Sequence, residues 1–222
     1  MISYNADFRN VIGSALKDTF IKHYQMMGMR RPWNTTKATK FFAKRWSYYK
    51  RQFKDLELQL TRTTSLLVKA QDAVLHIEDA LGSSAEIAAV NFPTEIKVRD
   101  KIVTDHLDLV VINQLSKKQK VVELYFFDES LHMEAGNDFG MLMRATTGVS
   151  SAKKDLIGYS MPVKCYLLNV FTLEKREIKL TKEHRVHYPR LLSNIVSGVE
   201  SNAIYPRSSY ESCKQCLYRN IF

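Results

Sequence analysis

Cysteine, long apolar runs and several common catalytic motifs are scarce or absent in this chain of 222 residues. Its three cysteines are too few for the disulfide framework of a small secreted protein. No apolar run of about 18 residues occurs, which a membrane-spanning helix would need, and the first residues lack the basic and then apolar layout of a secretory signal. We therefore expect a soluble protein of a reducing, cytoplasmic compartment, with no membrane partner.

Three widespread motifs of enzymes are missing as well. The patterns G-x-x-x-x-G-K-[ST], G-x-S-x-G and G-x-G-x-x-G do not occur, so no motif supports a P-loop nucleotide hydrolase, a serine hydrolase or a dinucleotide-binding enzyme. The length fits one domain, or a core with a helical extension, and is sufficient to bury a substantial hydrophobic core.

Acidic residues are absent between Arg30 and Lys54, where nine lysines and arginines lie. This stretch supplies nearly all of the net charge of +10. On a helix that begins near Thr35 or Thr36, the periodicity places aromatic side chains on one side and cations on the other. The aromatic residues are Phe42, Trp46, Tyr49 and Phe53, and the outward cations are Lys37, Lys40, Lys44, Arg51 and Lys54.

The outward cations fit two interpretations, a surface that follows nucleic-acid phosphates or an ordinary solvated helix. Exposed helices usually mix both signs of charge. Because this stretch contains no acids, the sequence favours neither interpretation over the other. Arg30, Arg31 and Trp33, just before the helix, would add a loop for stacking and phosphate contacts. A third interpretation, in which the helix binds an acidic protein, stays open.

Hydrophobic periodicity predicts an α/β fold in which three antiparallel strands follow the N-terminal helices. The predicted helices cover 5–28, the basic segment, 56–81, 151–159 and 183–200. The predicted strands form a hairpin over 94–113 that turns near 99–101, a third strand at 120–128, and a second hairpin of 163–171 and 176–181 that turns across 172–175. The segment 128–150 contains three glycines and fits no single pattern.

Two acidic residues interrupt neighbouring apolar strands. Asp108 lies in 103-VTDHLDLVVIN-113 and Glu123 in 120-KVVELYFFD-128. A buried carboxylate is costly unless it is compensated, and a divalent cation shared by two carboxylates is one way to compensate it. The alternatives are a hydrogen-bonded strand residue at Asp108 and an inward charge that protects an edge strand at Glu123.

The order of these elements resembles the PD-(D/E)XK nucleases, and within them the branch of the RecB nuclease domain and the iron-sulfur nucleases of CRISPR adaptation. The resemblance covers residues 65–222 and implies a restriction-endonuclease-like core, with a mixed sheet flanked by helices, while 1–64 would form a basic helical arm. It is carried by 73-AVLHIEDAL-81, 104-TDHLDLVV-111, 121-VVELYFF-127, the spacing from Asp155 to Tyr159, which is similar to a Q-x-x-x-Y motif, and the tail 205-YPRSSYESCKQCLYRNIF-222.

The resemblance implies a site for Mg²⁺ or Mn²⁺ formed by His76, Asp108, Glu123 and the carbonyl group of Leu124. Hard oxygen ligands with one imidazole suit these ions. It also implies a DNA substrate, bound at ends or as single strands with Tyr159 nearby. A protein partner in a replication, recombination or phage-assembly complex is compatible with the family, as is a viral protein in the host cytoplasm.

Two departures from the family pattern concern activity. Tyr125 stands where the motif has a lysine, so a catalytic ammonium would have to come from Lys118, Lys120, Lys153 or Lys154. The tail keeps Cys213 and Cys216 but has Phe222 in place of a third cysteine, and Cys165 lies on a predicted strand. No complete iron-sulfur cluster is therefore expected.

Two functional hypotheses follow. The first is a metal-dependent DNA nuclease, which acts as an exonuclease or on single-stranded ends. The second is a nuclease-fold protein without hydrolytic activity that binds nucleic acid or serves in an assembly. The residue that separates them is Tyr125, because a phenol with an ordinary pKa near ~10 cannot supply the positive charge of a lysine.

Overall fold

The computed structural model describes residues 8–52, 60–81, 85–98, 100–116, 119–129, 139–157 and 160–201. Three helices come first, followed by three strands, a helix, two strands and a last helix. They are α1 (Phe8–Gly28), α2 (Thr35–Gln52), α3 (Leu60–Leu75), β1 (Ala85–Val98), β2 (Lys101–Ser116), β3 (Gln119–Asp128), α4 (Phe139–Ala152), β4 (Val163–Asn169), β5 (Lys175–Ile178) and α5 (Lys182–Glu200).

The five strands form one mixed sheet in the order β1-β2-β3-β4-β5. Strands β1, β2 and β3 pair antiparallel, β3 and β4 pair parallel, and β4 and β5 pair antiparallel. A parallel pair needs a long crossover, which α4 provides between β3 and β4. The predicted fold class, a mixed sheet flanked by helices with a helical N-terminal part, is confirmed.

From Leu109 onward in β2, and along β3, side chains alternate between two apolar layers, as the period of a strand requires. Leu109 and Tyr125 belong to the layer that also contains Ile12 and Leu16 of α1. Val110 and Leu124 belong to the opposite layer, together with residues of α4. The sheet is thus buried on both faces, which explains why its central strands read as almost continuous apolar runs.

The N-terminal helices are part of this core. Phe42 of α2 and Phe20 and Tyr24 of α1 are buried in the same cluster as Tyr125 and Phe127 of the sheet. The division at residue 64 remains a prediction, but α1 and α2 contribute core side chains. The described helices contain no stretch that is long and apolar enough to span a bilayer.

Several element boundaries differ from the prediction. Strand β1 begins at Ala85 instead of residue 94, the predicted helix 151–159 is the end of a helix that begins at Phe139 and continues as a wider turn over Lys153–Ile157, and β5 begins at Lys175. Glycines obscured the helix in the sequence. A Cβ atom at Gly148 would lie 2.8 Å from Cδ2 of Leu107, so glycine permits the close approach of α4 to β2.

Candidate active site

The pairing of β2 with β3 ends at Leu109 and Tyr125, and Asp108 stands just beyond that point. Its side chain is fully buried. Oδ2 of Asp108 accepts a hydrogen bond of 2.8 Å from the backbone N–H group of Phe127. The carboxylate therefore takes the place of a backbone partner at the point where β2 and β3 separate. We call this point, between Asp108 and Phe127, the fork.

A lysine of α1 reaches into the fork. Nζ of Lys17 lies 3.2 Å from Oδ1 of Asp108 and 3.6 Å from Oε1 of Glu129. Glu129 is held on the other side by Ser14, whose hydroxyl group donates a hydrogen bond of 2.9 Å to Oε2. The fork thus contains two carboxylates and one ammonium group.

Histidine and lysine both favour the charged form of Asp108. Burial by itself raises the pKa of Asp108, but the contact with His106, the charge of Lys17 and the N–H group of Phe127 outweigh it and lower that pKa. Nε2 of His106 lies 3.6 Å from Oδ1 of Asp108. The same contact raises the pKa of His106. Asp108 is consequently an anion at neutral pH.

Glu123 lies at the centre of a second polar cluster on the same face of the sheet as Tyr125. Its Oε2 atom accepts a hydrogen bond of 2.7 Å from Nδ2 of Asn113 and a short one from the hydroxyl group of Tyr125. Nζ of Lys175 lies 3.2 Å from the same oxygen and donates a hydrogen bond of 2.8 Å to the hydroxyl oxygen of Tyr125. Burial first, and then the hydrogen bond to Glu123, raise the pKa of Tyr125.

Lys175 was not among the lysines that the sequence suggested. Lys120 is exposed and has the opposite parity to Glu123 and Tyr125 on β3, so it faces the other side of the sheet. Lys153 and Lys154 follow α4, which also covers that other side, and Lys118 lies outside the described residues. Lys175 is the first residue of β5, which joins the sheet through β4. Its position beside Glu123 therefore depends on the parallel pairing of β3 with β4, which the sequence did not predict.

The three predicted metal-binding side chains do not converge in the structure. His76 follows α3, is exposed, and contacts Asp72 and Asp79. Asp108 precedes the pair of Leu109 with Tyr125, whereas Glu123 pairs with Val111, so about three residues, or roughly 10 Å of strand, separate the two acids. Within the described ranges, no group of three His, Cys, Asp or Glu side chains could hold an ion.

The donor chemistry of the fork nevertheless fits a hard divalent cation. Oδ1 of Asp108 is buried and faces Nζ of Lys17 at 3.2 Å and Nε2 of His106 at 3.6 Å, so this oxygen already attracts positive charge. Carboxylate oxygens are the ligands that Mg²⁺ and Mn²⁺ prefer. Leu124, whose carbonyl group was predicted as a ligand, pairs with Val110 on one side and Cys165 on the other, inside the sheet. Metal binding by the predicted set stays a prediction.

The predicted nucleic-acid-binding residues of α2 are exposed. They are Lys37, Lys40, Lys44 and Arg51, and Arg30 and Arg31 before the helix are exposed as well. Trp33 differs, because it is only partly exposed and packs against the core cluster and the ring of Phe41. Its indole is therefore part of the packing. Lys54 and Tyr159 lie outside the described residues.

Of the three cysteines, Cys165 is the one that lies within the described residues. Cys165 is a buried free thiol on β4, and burial raises its pKa to about 12. A thiol that is protonated at neutral pH is neither a good metal ligand nor a nucleophile. Cys213, Cys216 and Phe222 lie outside the described residues.

No protein-family model and no curated protein matches this chain. Among solved structures, the chain is similar to the crystal structure of a protein named SSO0001, with 15% identity over 94% of both chains and a TM-score of 0.38. It is also similar to a protein from Eubacterium rectale described as "Putative exonuclease", with 9% identity over 94% of this chain and 90% of that chain and a TM-score of 0.41. Likeness at this level says nothing about the chemistry of this chain.

Proposed function

We propose that the chain is a metal-dependent nuclease that hydrolyses phosphodiester bonds in DNA, with Lys175 in the role of the lysine that Tyr125 replaces. One observation supports this proposal above the others. The ammonium group of Lys175 lies 3.2 Å from Glu123 and 2.8 Å from the hydroxyl oxygen of Tyr125. A positive charge is thus present at the end of the side chain that occupies the position of the motif lysine.

The proposal gives each residue of the second cluster a distinct role. Tyr125 remains protonated at neutral pH because its pKa is raised, so its hydroxyl group donates to Glu123 and does not act as a base. Lys175 has about a third of its side chain exposed, at 32%. Its ammonium group can therefore reach a phosphate or an attacking water and offset the charge that develops during hydrolysis.

Asp108 and Glu129 would hold the divalent cation, Mg²⁺ or Mn²⁺, at the fork, whereas Glu123, roughly 10 Å away along the strands, would position Lys175 and Tyr125. When bound, such an ion lowers the pKa of a water molecule and stabilises charge on phosphate oxygens. Asp108 is ionised, as a metal ligand requires, and the cation would have to displace Nζ of Lys17 from its Oδ1 atom. Asn113 orients the carboxylate of Glu123 through its amide group.

The fork favours a second candidate, a nuclease-fold protein that binds nucleic acid without hydrolysing it. Lys17 already compensates the negative charge of Asp108 from 3.2 Å. A carboxylate that is neutralised by the protein's own ammonium group gains less from a divalent cation. In this candidate, Lys17 and Lys175 replace the ions, and the cations of α2 carry the binding.

The test is cleavage of end-labelled single-stranded and double-stranded DNA with Mg²⁺, Mn²⁺ or EDTA. We expect cleavage that depends on metal, is abolished in Glu123→Gln, and falls about 100-fold or more in Lys175→Met. Lys179→Met is the matched control, because Lys179 is exposed just after β5, and it should retain full activity. Activity that survives in Lys175→Met would contradict the assignment of this lysine, and DNA binding without any cleavage would favour the second candidate.

A further inference from the structure

The outward face of α2 carries cations and one aromatic ring in a single row. Lys37, Lys40, Lys44 and Arg51 fall within about 60° around the helix axis, at about 100° per residue, and Tyr48 stands beside them. We call these five residues the α2 stripe. From first to last it spans about 21 Å at a rise of about 1.5 Å per residue. All five residues are exposed.

The helix that carries the stripe is fixed to α1, so the row has a defined direction. The guanidinium group of Arg45 forms an ion pair with Asp18 of α1. The hydroxyl group of Tyr49 donates a hydrogen bond of 2.9 Å to the same carboxylate. Phe42 is buried in the core. Phe42 and Tyr49 lie on the inward side of α2, roughly 140–170° around the helix axis from the middle of the stripe, and Arg45 lies between the two sides, roughly 105° from it.

Tyr48 is exposed yet held in place. Its side chain is 51% exposed. The guanidinium carbon of Arg45 lies 5.0 Å from the centre of its ring, and the ring of Tyr49 packs against it edge to face at 5.5 Å. A positioned aromatic ring beside a row of cations is the arrangement that binds single strands, where bases stack and phosphates pair with cations.

The charges of the stripe are available to a ligand. In the described ranges, no acidic side chain forms an ion pair with Lys40, Lys44 or Arg51. The ammonium group of Lys37 donates a hydrogen bond of 2.8 Å to the backbone oxygen of Pro32, which is not an acidic group. The helix itself contains no acidic residue. A polyanion that binds along the α2 stripe therefore meets no negative charge from α2 itself.

We propose that the α2 stripe binds single-stranded nucleic acid, with its four cations on successive phosphates and Tyr48 stacked on a base. The proposal rests on the proposed function for the class of substrate and names the form of that substrate. Duplex nucleic acid fits less well, because its bases are already stacked and leave no face for Tyr48. An acidic protein would be attracted to the four cations, but it would not require an aromatic ring at position 48.

Binding is measured by fluorescence anisotropy in EDTA, so that cleavage plays no part. The probes are a labelled 20-nucleotide oligo-dT and a labelled 20-base-pair duplex, each titrated at several salt concentrations. We expect tighter binding of the single strand and a steep salt dependence, with a slope of about 0.7 per phosphate contact. Lys40→Gln with Lys44→Gln should weaken binding and reduce that slope by about 1.4.

Tyr48 separates stacking from charge. Tyr48→Ala should weaken single-strand binding about 10-fold with no change in the salt slope, whereas Tyr48→Phe, which keeps the ring, should bind as the wild type does. Lys69→Gln on the exposed side of α3 is the control for charge and should have little effect. Circular dichroism checks that each surface variant is folded.

Three results would overturn the proposal. They are equal binding of duplex and single strand, a Tyr48→Ala variant that binds normally, and full competition by polyglutamate, which would indicate an acidic protein partner. Because the assay contains no metal, loss of cleavage in the nuclease test leaves its outcome unchanged. The nuclease proposal and this one can therefore fail separately.

Discussion

Nζ of Lys17 lies 3.2 Å from Oδ1 of Asp108, so a residue of the first helix compensates a fully buried carboxylate of the second strand. The family resemblance covers residues 65–222 and gives no role to Lys17. The packing of α1 against the sheet places this lysine at the fork. The candidate site therefore extends into the N-terminal helices, and a fragment that lacks α1 would expose Asp108 without its cation.

Replacing Lys17 should both destabilise the fold and open the fork to metal. We expect Lys17→Met to lower the free energy of unfolding by about 1–3 kcal/mol at neutral pH, because Asp108 stays buried without its cation. The partial exposure of Lys17, 20% of its side chain, keeps the loss below that of a fully buried pair. Urea denaturation measures this loss.

The same variant tests whether the fork accepts a divalent cation. Ligands that bind only the folded state raise its stability, so millimolar Mn²⁺ should raise the melting temperature of Lys17→Met more than that of the wild type. Lys69→Met, on an exposed part of α3, is the control and should show neither effect. An unchanged stability in Lys17→Met, or the same response to Mn²⁺ in both proteins, would contradict this role of Lys17.

The sequence predicted the layers of the fold because apolar periodicity is a local signal. The alternation of β2 and β3, the helix that begins at Thr35 and the last helix all follow from spacing along the chain. Asn34 adds a local signal, since its side-chain oxygen accepts a hydrogen bond from the N–H group of Lys37 and caps α2. Such features need no knowledge of the tertiary structure.

The partners of the two strand carboxylates could not be predicted in this way. Lys17 and Asp108 are far apart in sequence, and Lys175 reaches Glu123 only because β4 lies parallel to β3 and carries β5 with it. Spacing along the chain pointed to Lys118, Lys120, Lys153 and Lys154, which lie near β3 and α4 in sequence, whereas the lysine that contacts Glu123 is Lys175. The residue in question stood in a segment predicted as a turn.

A buried histidine should make the fold sensitive to acid. His23 is 1% exposed, neither ring nitrogen has a hydrogen-bond partner in the described part of the chain, and burial lowers its pKa to about 4. Because the ordinary value is about 6.5, the unfolded chain binds more protons between these two values. This contribution to stability is complete above pH 6.5 and is lost as the pH falls toward 4, by up to about 1.4 kcal/mol per unit.

His23→Phe should remove this pH dependence and stabilise the protein. The phenyl ring can keep the edge-to-face contact with Tyr24, whose ring centre lies 5.2 Å away, and it buries no unpaired nitrogen. We expect a gain of about 1 kcal/mol at pH 7 and a larger gain at pH 5. Urea denaturation from pH 4.5 to 7.5 measures both, with His187→Phe on the exposed side of α5 as control. A wild-type slope retained in His23→Phe would contradict the role of this histidine.

Gly13 should stabilise the protein because it allows a close contact between α1 and the end of β3. A Cβ atom at this position would lie 2.9 Å from both Cβ and the carbonyl oxygen of Glu129, the residue that also contacts Lys17. Alanine gains about 1 kcal/mol of helix propensity, but the backbone oxygen cannot move aside as a side chain can, so we expect a net loss of about 1–2 kcal/mol.

Gly28→Ala in the same helix is the matched control, because the nearest atom there belongs to the side chain of Ile87 at 3.2 Å. Thermal unfolding should show a melting temperature lower by about 2–8 °C for Gly13→Ala and a smaller shift for Gly28→Ala. A Gly13→Ala protein as stable as the wild type would contradict this prediction, because it would mean that α1 can move away from β3 with no loss in the free energy of unfolding.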